Sequence, residues 1–187
     1  MRTPGKFWFT SCRLTHHVVT VSSEPMSSHD VEGFIRQAVE LSKRAVENGN
    51  HPFGALLVSA EGEVLATAEN TVNTDCDPTR HAELALVSDV SRLKIAAATV
   101  ASSTLYTSCE PCMMCCGAIY WCGVRRVVYS CSHATLAKHA GEALLVSSET
   151  LLGPSNVTIV GPILEEFGEG PHATYWKSLT HSTEELS

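Results

Sequence analysis

The sequence has no apolar run that approaches the roughly 20 residues needed to span a membrane, so a membrane-embedded helix is excluded. No secretory h-region precedes its cysteines, which argues against an extracellular disulfide scaffold. Basic residues are scarce: Lys and Arg number 13 against 20 Asp and Glu, for a formal net charge of -7. Residues 1–27 hold Arg2, Lys6, Arg13 and Glu24, so the remainder carries 10 basic and 19 acidic residues. A groove that tracks phosphates needs Lys and Arg, because counterion release supplies most non-specific affinity. The acidic body therefore argues against long nucleic-acid partners and favours a small substrate. Internal repeats and a second domain are missing as well, and 187 residues suit a single domain with a full core.

Cysteine, by contrast, is plentiful but oddly placed. Five of the 8 (Cys109, Cys112, Cys115, Cys116 and Cys122) crowd into one short stretch. Clustered Cys and His in a reducing compartment read as a metal site. A zinc ribbon needs a second, separate C-x-x-C, which this chain lacks. Cys109-Glu110-Pro111-Cys112 has redox spacing, but a redox reading leaves His81 and Glu83 without a role.

Two segments account for these residues together: His81-Ala82-Glu83 and Pro111-Cys112-Met113-Met114-Cys115. His81, Cys112 and Cys115 supply three zinc ligands, one fewer than a closed tetrahedral site. A catalytic zinc differs from a structural one in that open position. Glu83 stands two residues from the His and is placed to carry a water's proton. Zinc makes hydroxide available near neutral pH, and one carboxylate beside it can take that water's proton and hand it on. Cys109 reads as a spectator behind the metal, since a fourth thiolate would close the site.

Hydrophobic periodicity predicts a helix over 30–48, a strand over 53–59 paired with 64–68, and a helix over 81–92. A strand over 104–107, a helix over 111–122 and a strand over 126–129 follow. A short helix over 134–140, a fifth strand over 157–160 and a last helix over 172–180 complete the pattern. Such alternation predicts an α/β sheet with helices on both faces. Both Cys ligands are expected in the first turn of their helix, where free N–H groups and the helix dipole favour thiolates. Residues 1–27 are Ser-rich and acid-poor. They read as a disordered extension or an organellar targeting segment, with 28–187 as the working domain.

The H-x-E and P-C-x-x-C pair is the signature of zinc-dependent base deaminases. With Pro52-Phe53-Gly54-Ala55, Ala68-Glu69-Asn70, Asp77-Pro78-Thr79-Arg80 and Thr107-Ser108-Cys109-Glu110, the chain resembles the cytidine/deoxycytidylate deaminase superfamily. The resemblance is to its purine-type branch, which includes guanine and tRNA adenosine deaminases. It implies a three-layer αβα fold around a five-stranded mixed sheet, a homodimer, one Zn2+ per subunit and a cytoplasmic hydrolase. It also implies a substrate pocket formed by Asn70, Phe53, Ala55, Ala82, Cys109, Trp121, Tyr175 and Trp176. Asn70 reads alternatively as a turn former, Phe53 as core, and Tyr175-Trp176 as either a lid or a core-docking pair. Guanine deaminases carry an acidic stretch after the fourth strand; here Glu142 is the candidate for that acid, or a solvated charge. The expected substrate is a free purine base or nucleoside, guanine-like. Transfer RNA adenosine, cytosine or another amino-heterocycle, and a catalytically silent zinc-stabilised partner subunit, are the alternatives.

Overall fold

The computed structural model describes residues 28–141 and 146–184. The readings placed on residues 1–27 and on Glu142 lie outside the described residues. Helix α1 (Ser28–Glu47) leads into a hairpin of β1 (Gly54–Val58) and β2 (Val64–Glu69). A single turn α2 (Val72–Asp75) and helices α3 (Ala82–Arg92) and α4 (Ala97–Ser102) precede β3 (Thr104–Cys109). Then come α5 (Met113–Cys122), β4 (Arg126–Cys131), α6 (His133–Ala140), α7 (Ser148–Leu152), β5 (Thr158–Val160) and α8 (Glu165–Glu184). The strands form one sheet in the order β2-β1-β3-β4-β5. Strand β1 runs antiparallel to β2 and β3, while β3, β4 and β5 run parallel.

Strand periodicity sorts the apolar residues onto two faces. Leu57, Leu105 and Val127 point to one side and meet Leu86 and Val90 of α3, Ile119 of α5 and Leu152 of α7. Leu56, Val58, Tyr106 and Val128 point to the other and meet Ile35, Ala38 and Leu41 of α1. Two cores around one mixed sheet give the three layers expected from the sequence. Gly54 marks the closest approach of α1 to β1. A Cβ there would lie 2.5 Å from the Leu41 Cβ and 2.6 Å from the Ala38 carbonyl oxygen. That position takes glycine for steric reasons, whatever its backbone angles.

Two differences from the sequence reading have physical causes. Helix α8 begins at Glu165, well before the expected 172, and carries Pro171 inside it. Proline lacks the N–H for the helix ladder and usually ends one, so local rules put the boundary after it. Tertiary packing prevails here: α8 lies against α1, α6 and β4. Helices α2, α4 and α7 are too short to show an amphipathic period. Among the described residues, no helix is long and apolar enough to cross a membrane.

Candidate active site

His81 and Cys112 both stand at N-cap positions, of α3 and α5 respectively, with extended backbone (φ/ψ of -69°/150° and -69°/171°). An N-cap side chain usually accepts a hydrogen bond from the first turn. Neither of these does. Their side chains turn instead toward each other and toward Cys115, the third residue of α5. The expectation of both cysteines inside the first turn is thus corrected by one position. Cys112 and Pro111 precede the helix, and only Cys115 is within it. The cap geometry is what swings Cys112 to the outside, where it faces the start of α3.

His81 Nδ1 lies 3.5 Å from Cys112 Sγ and 3.8 Å from Cys115 Sγ. Zinc bonds of about 2.3 Å to sulfur and about 2.0–2.1 Å to nitrogen, at tetrahedral angles, place N and S about 3.6 Å apart. The three side chains therefore fit a zinc ion by both donor type and spacing. Their protonation points the same way. A hydrogen bond from the Cys115 thiol brings Cys112 down to about 3, against the opposing effect of burial and with help from His81. That same bond, with burial, pushes Cys115 up. Two thiolates so close together need a cation between them, and Zn2+ removes the conflict.

Glu83, second residue of α3, is only 4% exposed. Its Oε1 accepts a hydrogen bond from the Thr107 hydroxyl (2.9 Å), and its Oε2 lies 3.5 Å from Cys115 Sγ. Burial, the largest influence, raises its pKa. A cavity of about 440 Å³ opens beside it, lined by Phe53, Pro78, His81, Glu83, Glu110, Cys112, Met113, Met114, His133 and Leu136. It sits at the carboxyl ends of β3 and β4, where ligands of open α/β sheets bind.

The other expected pocket residues divide into three groups. Phe53 lines the cavity, its ring parallel to that of His81 (1°, centroids 6.5 Å apart). Ala55, Ala82 and Cys109 are fully buried beneath the site rather than at its surface. Asn70 is buried too, and its Oδ1 accepts from Val72 N (3.1 Å), the bond of a turn former. Trp176 packs on the cluster of Cys109, Cys131 and Leu136 and donates from Nε1 to His172 Nδ1 (3.4 Å). Tyr175 lines a separate groove between α1 and α8. Trp121, at the end of α5, is 73% exposed, and the structure does not bring it to the cavity. Sequence reasoning assigned no role to Glu110, His133 or Leu136, which do line it. Glu110 sits inside the quoted motif, so its position was readable; His133 had only its place after a parallel strand to recommend it.

Comparison with known proteins agrees with this geometry. The cytidine and deoxycytidylate deaminase zinc-binding region matches residues 28–131. A probable cytosine deaminase of Schizosaccharomyces pombe is 36% identical over 163 residues, covering 83% of this chain and 98% of that protein. A guanine deaminase of Bacillus subtilis is 40% identical over 108 residues, covering 57% and 68%. A tRNA-specific adenosine deaminase of Buchnera aphidicola is 35% identical over 114 residues, covering 61% and 74%. The solved guanine deaminase of Nitrosomonas europaea superposes with a TM-score of 0.69 over 87% of this chain and all (100%) of that one. At 20% identity this is a likeness of fold. The chain belongs to the cytidine and deoxycytidylate deaminase family, and it is a zinc-dependent hydrolytic deaminase.

Proposed function

We propose that the protein hydrolyses the exocyclic amine of a free purine base or nucleoside, guanine-like by preference. A C–NH2 becomes C=O, water is consumed and ammonia leaves. The observation that carries this reading is Glu83, buried with its Oε2 3.5 Å from Cys115 Sγ and lining the same cavity as His81 and Cys112. His81, Cys112 and Cys115 hold the zinc, which when bound supplies an activated water at neutral pH. Glu83 Oε2 accepts one proton of the attacking water and passes it to a ring nitrogen; it then carries the proton of the new C–OH to the departing amine, leaving C=O and ammonia. Thr107 holds the other carboxylate oxygen still through its 2.9 Å bond. Phe53 offers its ring to the heterocycle.

A cavity of about 440 Å³ suits a small heterocycle, since such sites span about 300–1,000 Å³. The guanine preference is supported by the B. subtilis relative, which has the highest identity of the three. A cytosine reading is favoured by one specific observation: the S. pombe relative matches over 98% of its own length, C-terminal part included. Transfer RNA is disfavoured by the net charge of -7. The homodimer belongs to the same proposal, and the exposed Tyr120 and Trp121 at the end of α5 offer it an apolar face. Ammonia release from zinc-loaded protein on guanine, guanosine, adenine, adenosine, cytosine, cytidine and an anticodon stem-loop decides the substrate. Release from guanine or guanosine upholds the purine reading. Release from cytosine alone replaces it, and release from the stem-loop alone overturns the charge argument. Silence on every member, with zinc bound, points to another amino-heterocycle or to a silent partner subunit.

A further inference from the structure

His133 is the first residue of α6 and borders the cavity while only 7% exposed. Its Nδ1 is buried and makes no hydrogen bond. A buried polar atom without a partner is uncommon and calls for a cause. Glu110 gives one. Its Oε2 accepts from the His133 backbone N–H (3.0 Å) and stands 3.7 Å from Nδ1. Its Oε1 accepts from both the backbone N–H (2.8 Å) and the hydroxyl (2.9 Å) of Ser148. Glu110, 8% exposed, is thereby clamped from α7, and it fixes where α6 begins. A carboxylate facing Nδ1 favours the tautomer with the proton on Nδ1, because a lone pair there would be repelled. The other ring nitrogen, Nε2, is then left as a hydrogen-bond acceptor on a side chain that borders the cavity.

The substrate's amine must face the metal ligands and Glu83, so the far side of its ring meets the rest of the cavity. A free base carries an N–H at the ring nitrogen that bears the sugar in a nucleoside. We propose that His133, positioned by Glu110, is a specificity-determining residue that accepts this N–H and so selects the free base over its nucleoside. The inference rests on the proposed base-deaminase reading.

The test compares ammonia release by zinc-loaded wild type, His133→Phe and His133→Gln on each base and its nucleoside, with zinc content measured for every variant. His133→Phe raises KM for the base about tenfold and leaves kcat within about threefold, the size of one lost buried hydrogen bond. His133→Gln, which keeps an acceptor, restores most of that loss. The base-to-nucleoside preference narrows in His133→Phe and returns in His133→Gln. An unchanged KM in His133→Phe overturns the inference. So does a kcat loss shared equally by base and nucleoside, or a Gln variant no better than Phe. Each of those outcomes, with wild type active on a base, sinks the His133 assignment alone. Wild-type silence on every base removes the underlying reading as well.

Discussion

The metal side of the cavity comes from two short stretches of chain, residues 81–83 and 112–115, each at the start of a helix. The remaining wall gathers Glu110, His133 and Leu136, with Ser148 bracing them from α7 and His172 of α8 packed behind Phe53 (centroids 5.0 Å apart). On the first side, spacing within the chain nearly fixes the geometry. On the second, the residues meet only because β3 and β4 run parallel and α6 to α8 fold back over their ends. On the proposed reading chemistry is held locally and selection tertiarily, so damage to the two should differ in kind as well as size.

The largest effect is expected on the metal side. Cys115→Ser removes a ligand and should abolish zinc retention together with turnover, a loss of about 10⁴-fold or more. Metal content by atomic emission and ammonia release read it; a variant that keeps both breaks the assigned ligand set. Glu83→Gln comes next. It should keep its zinc and lose about 10²- to 10⁴-fold in kcat, the usual worth of a positioned proton carrier. Full activity there would move the proton transfers to another group.

The second side should respond in stability and KM. Burial lowers His172 to about 4, with the His139 charge adding to this and Glu169 opposing it. In the unfolded chain the value is about 6.5. Between the two values the unfolded chain binds a proton that the folded chain refuses. Stability is therefore complete above pH about 6.5, falls as pH drops, and levels off below about 4, a total near 3 kcal/mol. Denaturation midpoints from pH 7 to 4 measure the slope, and His172→Phe should flatten it. A slope that survives this substitution places its origin elsewhere. The smallest change is Ser148→Ala, which strips one of three donors from Glu110 and leaves the backbone bonds intact. About 1–2 kcal/mol of stability and a modest rise in KM are expected, with zinc content unaltered. A fall in zinc would show that the two walls are not independent.

How much the sequence told follows the same division. The clustering of His81, Cys112 and Cys115 was legible because ligand chemistry demands those residue types at those spacings, and that of Glu83 because it stands two residues from His81. Strand β1 was legible because it is buried along its whole length and reads as an apolar run. The start of α8 was not, because Gly168, Gly170 and Pro171 speak locally against a helix that packing nonetheless holds. His133 was not legible, since a His after a strand carries no period and no motif. Asn70 offered two readings; its Oδ1 bond to Val72 N fits the turn former and leaves its amide nitrogen for the substrate reading. Trp121 followed from the family resemblance alone, and it faces outward.

The uncapped starts of α3 and α5 have a consequence for the protein's lifetime. Each forgone cap costs about 0.5–2 kcal/mol, and the ion that joins His81 to Cys112 takes over the fastening of both helices. Zinc supply would then govern not only whether the enzyme turns over but how long a copy survives among proteases. Chelated protein should be cut first near residues 77–81 and 110–113. If chelation leaves those segments as resistant as before, the helices hold without the ion, and abundance is independent of metal nutrition.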